Sequence, residues 1–362
     1  MKWEENVRRV TPYTPGEQPE KAGVVKLNTN ENPYPPAPGV SKAAETFRAD
    51  QLRLYPAFPE TTELAKELAA HYHIGTDQIF IGVGSDDVLS MAFMTFFQSD
   101  RPVFFPDITY SFYDVWADVY RIPYSRKPLN EDFGICVEDY CQPNGGVIFP
   151  NPNAPTGVLM PPDAVEEIVA ANRDVVVIVD EAYIDFGGTS ALPLIEKYDN
   201  LLVVQTFSKS RSMAGMRIGY AMGQPALIRY LNDVKYSVNS YTMNTAAYAL
   251  GVEAVRDQAY FEECCQKIVK TRERAEGELL KRGFVFPKSF ANFIFASHKT
   301  IPAREIFERL KENDIYVRWW DKDRIGNYLR ITIGTDEQME ALYRALDRIC
   351  GVYSDKKSSI IT

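Results

Sequence analysis

Between residues 201 and 223 the chain reads LLVVQTFSKSRSMAGMRIGYAMG, and this stretch constrains the fold more than any other. The apolar run 201–204 predicts a buried strand, and 218–222 a second one. A turn with Ser208, Lys209 and Ser210 separates them, followed by a loop with Gly215 and Arg217. A lysine held between buried strands loses hydration, which disfavours its ammonium form and frees the amine for Schiff-base chemistry. Ser208 and Arg217 could hold a phosphate beside it. Taken alone, the stretch fits equally well an ordinary surface turn that happens to carry a lysine.

A second stretch, RDVVVIVDEAYIDF at 173–186, shifts that balance. Its continuous apolar run suits a strand buried on both faces of a parallel sheet. Asp180 closes the run, and a carboxylate there is costly to bury without a cationic partner. A protonated pyridine nitrogen is such a partner, and Tyr183 could reach the phenolic oxygen of the same ring. Lysine, phosphate donors and a buried carboxylate together suit pyridoxal phosphate. The bland reading of Asp180, a loop carboxylate or helix cap, stays open at this point.

Other stretches add to the pattern. At 79–97 a short strand leads through Gly84, Ser85 and Asp86 into a helix, and free backbone N–H groups at a helix start make an anion site. GVG resembles the opening of a dinucleotide fingerprint, but Asp87 occupies its third glycine position, so a phosphate on Ser85 and Asp86 fits better. Tyr110 follows the strand predicted at 101–105 and could stack on a ring. Strands alternate with helices from about 79 to 222, which predicts an α/β fold with a doubly wound, mostly parallel sheet whose ligands sit beyond the strands' carboxyl ends. One long bridging helix is expected at 243–278. Strands and helices then alternate to about residue 350 as a smaller α+β unit. The expected division is an extended arm at 1–38, a large domain at 39–250 and a small domain at 251–362, ending in a disordered tail, SDKKSSIIT.

Composition excludes several classes. With 40 basic against 49 acidic residues, the net charge of −9 argues against a nucleic-acid footprint. No apolar run approaches the ~20 residues that span a bilayer, and MKWEENVRRV lacks the apolar core of a secretory signal. Five cysteines without CxxC spacing read as reduced thiols of a cytoplasmic protein. His71 and His73 lie near a helix end, where HxH spacing points the rings apart, so no metal is expected. GxSxG and GxxxxGK[ST] are absent, leaving hydrolase and P-loop readings without their motifs.

In chain order, LNTNENP (27–33), RLYP (53–56), GVGSDD (82–87), TYSFY (109–113), NPNAPTG (151–157), VDEAYIDF (179–186), TFSKSRSMAGMRIGY (206–220) and YLRITIGT (328–335) cover almost the whole chain. The set resembles the fold-type I pyridoxal phosphate (PLP)-dependent aminotransferases, class II subfamily, and among them the histidinol-phosphate aminotransferases. The resemblance implies a large domain with a mostly parallel, seven-stranded-type sheet between helices. It also implies a smaller α+β domain, and an arm that packs on that domain and covers the site. It makes Lys209 the cofactor lysine and Asp180 and Tyr183 its ring partners. Gly84, Ser85, Asp86, Thr206, Ser208 and Arg217 fall around its phosphate, and Tyr110 on its ring. It carries Tyr55 across a homodimer interface to the neighbour's phosphate. Arg330 and Arg318 are placed at the substrate's anionic group, with Asn30 and Tyr13 near the substrate. One departure stands out: the position before Pro155, usually asparagine, is Ala154, and Asn153 is the candidate replacement. The implied pair is histidinol phosphate and 2-oxoglutarate, giving imidazole acetol phosphate and glutamate. An aromatic-amino-acid aminotransferase and a threonine-phosphate decarboxylase share nearly every cofactor residue and stay open. A PLP-sensing transcription regulator needs an added DNA-binding domain, for which the chain leaves no room.

Overall fold

The computed structural model of the protein describes residues 2–351; the tail expected to be disordered, 354–362, lies outside the described residues. Its strands in chain order are β1 (Val25–Lys26), β2 (Ile79–Gly82), β3 (Val103–Pro106), β4 (Tyr124–Lys127), β5 (Val147–Pro150), β6 (Val177–Asp180), β7 (Leu201–Thr206), β8 (Gly219–Gly223), β9 (Phe284–Val285), β10 (Phe293–His298), β11 (Ile315–Tyr316), β12 (Arg318–Trp319) and β13 (Leu329–Thr332). A seven-stranded sheet has the order β2-β8-β7-β6-β5-β3-β4. Only β8 runs antiparallel to its neighbours; the pairs from β7 through β4 are parallel. The mostly parallel sheet of the expected α/β fold is therefore present.

Side chains alternate across this sheet, as a pleat demands. Ile81, Phe149, Val179 and Val203 face one way, onto the helices Glu63–Tyr72, Pro162–Ala171 and Thr245–Arg256. Phe80, Ile148, Ile178 and Leu202 face the other way, onto Gly84–Phe96, Phe112–Tyr120 and Pro225–Val238. Each fully buried Val, Leu or Ile contributes about 2 kcal/mol, against under ~1 kcal/mol for an exposed ion pair such as Arg48–Asp50. Apolar burial on both faces, not surface charge, holds the sheet.

A second core gathers Ile268, Phe293, Ile294, Ile331, Leu342 and Leu346 between β10, β13 and the helices Gln258–Lys281, Ala303–Glu312 and Asp336–Cys350. The single helix expected at 243–278 is two helices, broken at Asp257, whose carboxylate caps the second by accepting from Tyr260 N. A boundary at residue 250 therefore falls inside Thr245–Arg256, whose Ala254 and Val255 belong to the first core; the chain passes between cores at Asp257. β1 pairs in parallel with β11, Val25 opposite Ile315, so the N-terminal segment is tied to the second core's periphery.

Two glycines let the site form. Gly84 has φ +82, the left-handed turn by which β2 enters its helix. At Gly219 a Cβ would come within 2.2 Å of Ser85 N, so only glycine lets the helix start settle on the strand edge. Asp87, standing where a fingerprint glycine would, accepts from Val83 N at 2.9 Å and secures that start.

Candidate active site

Lys209 lies in the turn between β7 and β8, beyond the sheet's carboxyl edge. Thr206 Oγ1 accepts from Ser208 N at 3.1 Å, and Met213 N donates to the Phe207 carbonyl at 3.0 Å, which closes the turn. The lysine Nζ donates to the Thr29 carbonyl at 3.3 Å. Its side chain is half-buried. It keeps part of its hydration, because the turn projects past the two buried strands into an open cleft of about 350 Å³.

Asp180, at the end of β6, lines the same cleft and is only 5% exposed. Its Oδ2 accepts from Tyr113 Oη at 2.9 Å and its Oδ1 from Ala182 N at 3.2 Å. Burial pushes its carboxyl up to about 6, while those two donors and the Lys209 ammonium pull the other way. No cation forms an ion pair with it among the described residues, so the carboxylate faces the cleft short of a positive partner.

Tyr183, three residues on, is held from behind. Asn30 Nδ2 donates to Tyr183 Oη at 2.9 Å, which leaves the phenol hydrogen free to donate into the cleft. Asn30 is itself fixed on every side. Its Oδ1 accepts from Thr332 Oγ1 at 2.9 Å, its N–H donates to the same hydroxyl at 3.1 Å, and its carbonyl accepts from Asn292 Nδ2 at 2.9 Å. Its φ of 57 is left-handed, a conformation asparagine tolerates better than most residues.

At the other end of the cleft, donors converge. Ser85 and Asp86 present the first turn of their helix, and Ser208 and Arg217 stand opposite. Arg217 Nη1 donates to Ser208 Oγ at 3.3 Å, and its Nη2 pairs with Asp86 Oδ2 at 3.3 Å. Tyr110 Oη donates to Asp86 Oδ1 at 2.7 Å, and burial raises that phenol's pKa far enough to keep it protonated. Tyr110 stands edge-on to Tyr113, with ring centroids 5.8 Å apart.

Toward the mouth lie two arginines. Arg330, on β13, donates through Nη2 to the Asn28 carbonyl at 2.9 Å, and its Nε is buried with no partner. Burial lowers its pKa without threatening its charge. Arg318, on β12, donates to the carbonyls of Thr14 and Pro15 at 2.8 and 2.9 Å, which drapes the N-terminal segment across the opening. Both guanidinium carbons lie 5.2 Å from the Trp320 ring centre. Tyr13 stacks on Phe112 at 4.2 Å and also lines the cleft.

The profile of "Aminotransferase class I and II" matches residues 22–346. The chain belongs to the class I and II aminotransferases. It is 49% identical over 346 residues to a histidinol-phosphate aminotransferase of Lactococcus lactis subsp. cremoris (strain MG1363), covering 96% of this chain and 97% of that one. It is 50% identical over 353 residues to histidinol-phosphate aminotransferase 2 of Dechloromonas aromatica (strain RCB), covering 96% and 99%. Among solved structures, the histidinol-phosphate aminotransferase of Sinorhizobium meliloti in complex with pyridoxal-5'-phosphate superposes with a TM-score of 0.82 at 26% identity, covering 90% of this chain and 91% of that one.

In this aminotransferase the cleft brings together Lys209, Asp180, Tyr183, Tyr110, Ser85, Asp86, Ser208, Arg217, Arg330, Arg318, Asn30 and Tyr13. Four expected residues stand elsewhere. Asn153 does not line the cleft: its amide nitrogen donates to the Ile108 carbonyl and to Thr156 Oγ1, each at 3.0 Å, its Oδ1 is buried without a partner, and Ala154 lines the cleft instead. Thr206 lies beneath Ser208 as a strut, within 3.2 Å of the Ile218 carbonyl. Gly84 supplies a turn, not a cleft wall. Tyr55 is 80% exposed and stacks on Tyr241 at 4.5 Å, outside its own chain's cleft. Sequence reasoning missed Tyr113 and Trp320. Tyr113 lay inside a quoted motif, but a tyrosine on a helix's buried face looks like core, and nothing local tells it from one.

Proposed function

We propose that the chain is a PLP-dependent aminotransferase that exchanges an amino group between histidinol phosphate and 2-oxoglutarate in histidine biosynthesis. The observation that carries this reading is the buried Asp180 carboxylate, short of a cation, in the cleft that also receives Lys209. A buried carboxylate without a counter-charge is costly, and a pyridinium ring is the cation the site fits. Asp180 would hold its nitrogen, Tyr183 its phenolic oxygen and Tyr110 its face. Ser85, Asp86, Ser208 and Arg217 would hold its phosphate, with the helix start adding its positive end. The bound cofactor supplies the electron sink that makes the substrate carbon acidic. Lys209 Nζ would take the proton from that carbon, hold it as the ammonium and give it back as general acid–base. Arg330, with an unpartnered Nε, receives phosphate from one substrate and carboxylate from the other, assisted by Arg318. Asn30 orients Tyr183, and Tyr13 closes over the substrate.

The near-50% relatives support histidinol phosphate as donor. An amino-donor screen, followed at the cofactor's absorbance, tests it. Histidinol phosphate should react at least ~100-fold faster than phenylalanine or tyrosine, because a site built for a phosphate rejects donors lacking one. Faster reaction of an aromatic amino acid, or carbon dioxide release from threonine phosphate, would overturn the assignment.

The chain divides, in this reading, into the arm, a large cofactor domain and a small domain, with the break moved to Asp257. We further propose a homodimer with Tyr55 serving the neighbour's phosphate. Leu52, Leu54, Tyr55, Phe58, Val238 and Tyr241 are all exposed apolar side chains near the ends of two neighbouring segments, which supports an interface there. A two-fold axis would form two equal sites at once. Mixing inactive Tyr55→Ala and Lys209→Ala chains should restore activity, since one site of each heterodimer carries both defects and the other neither. Confirmed subunit exchange without recovery would mean that each site is built from one chain. The cysteines among the described residues are free, and no helix there is long and apolar enough to cross a membrane. In this reading the chain is a cytoplasmic enzyme acting on small molecules, a reading that rests on its aminotransferase relatives.

A further inference from the structure

Three segments of the cleft meet at one residue that touches none of the chemistry. Ser210 follows Lys209 and is buried. Its hydroxyl donates to Asp185 Oδ2 at 2.5 Å, and its carbonyl accepts from Asn32 Nδ2 at 3.1 Å. Asp185 stands five residues after Asp180 and two after Tyr183, on the short turn Ile184–Phe186. That turn is anchored in its own right, because the Phe186 carbonyl accepts from the buried Arg272 at 2.9 Å. Asn32 stands two residues after Asn30 and three after Thr29, whose carbonyl takes Lys209 Nζ. One serine thus ties the segment of Asp180 and Tyr183, the segment of Asn30 and the segment of Lys209 to each other.

Beyond Ser210, the turn is held on this side of the lysine by Met213 N on the Phe207 carbonyl and by Arg211, neither of which reaches the segments of Asp180 or Asn30. Among the described residues the Lys209 carbonyl is met only by Ser212 N, at 3.5 Å, the limit of a hydrogen bond. Nor does Asp185 look like half of a stabilising ion pair. Arg211 is adjacent to Ser210 and could have paired with it. Instead its guanidinium donates to the Ala254 carbonyl at 2.6 Å and lies 4.2 Å over the Phe261 ring. Ser210 is the one side chain among the described residues that hydrogen-bonds the Asp185 carboxylate.

We propose that Asp185 and Ser210 are positioning residues that hold the Lys209 amine in register with Asp180 and Tyr183. This rests on the cofactor role given to Lys209 above. An amine that must reach one carbon from a turn projecting past the sheet is sensitive to small displacement; about 1 Å can cost ~100-fold. Burial raises the Asp185 pKa, and the Ser210 hydroxyl and the nearby Arg211 charge offset part of that.

The test uses the cofactor-loaded enzyme with Ser210→Ala, Asp185→Ala, their double variant, and Asp185→Asn, which keeps an oxygen to accept from Ser210. Each alanine variant should lower kcat by about 10-fold with KM within twofold. The double variant should be no slower than either single one, as for two ends of one link. Asp185→Asn should keep most of kcat. The visible circular dichroism of the bound cofactor should change in the alanine variants and not in Asp185→Asn. A purely structural role would instead lower Tm in all variants and leave kcat and the dichroism alone. Alanine variants within twofold of wild type in kcat, or additive losses in the double variant, overturn the clamp. So does a loss in Asp185→Asn equal to that in Asp185→Ala. If borohydride attaches no cofactor to Lys209 in the wild type, both the clamp and the function it rests on fall.

Discussion

Lys209→Ala should lower transamination by about 10⁴-fold, ~5.5 kcal/mol in the barrier, because the variant loses the group that moves the proton. The same change should barely alter stability. Lys209 is half-buried, and its side chain donates to the Thr29 carbonyl. Such a bond contributes about 1 kcal/mol net. The expected outcome is a folded protein with a near-native Tm and almost no turnover, measured by thermal unfolding beside a coupled glutamate assay. A variant that turned over within tenfold of wild type would show that another base moves the proton.

Asp180→Asn should separate activity from stability in opposite directions. Loss of the negative partner to the ring nitrogen should cut the rate by at least ~100-fold, about 2.7 kcal/mol. A rate within threefold would mean that Asp180 is not that partner. The cofactor-free protein should respond the other way. Folding raises the Asp180 pKa from 3.8 to about 6 through burial. The folded state therefore binds its proton more tightly than the unfolded state does. The sign follows: the contribution to stability is most favourable below pH 3.8, declines as pH rises toward about 6, and is a constant penalty above that. The penalty is of order 3 kcal/mol at most. Asparagine cannot ionise, and its amide can donate to Tyr113 Oη while its oxygen accepts from Ala182 N. Urea unfolding of the cofactor-free proteins should show the variant more stable above pH 6 and the gap closing toward pH 4. Glu181, raised to about 7 by burial, slopes the same way in both proteins and cancels in the difference. A gap independent of pH would mean that Asp180 is not the group responsible.

Much of this fold was legible because a parallel sheet leaves a strong trace. Strands β5, β6 and β7 are buried on both faces, so each appears as an unbroken apolar run. Strand β4, YSRK, left none: it lies at the sheet's edge, half exposed, with two basic residues, and was not anticipated. The residues at or just beyond strand ends, Lys209, Asp180 and Ser85 among them, were legible for the same topological reason. Side-chain direction was not. Thr206 and the amide nitrogen of Asn153 sit in the right segments but bond within or beside their own loops, and a sequence does not say which way a side chain turns. Tyr113 reaches Asp180 across 67 positions from a helix face that reads as core. The break between Thr245–Arg256 and Gln258–Lys281 was not legible, because a helix continuing through Ala254 and Val255 has the same periodicity as the next one, and the Asp257 cap divides them.

Borohydride reduction of the cofactor-loaded protein, followed by peptide mass spectrometry, tests the central claim most directly. The account predicts one phosphopyridoxyl group per chain, on the peptide that contains Lys209, and none in Lys209→Ala. Label on another lysine, such as the buried Lys235, or none at all, would contradict it.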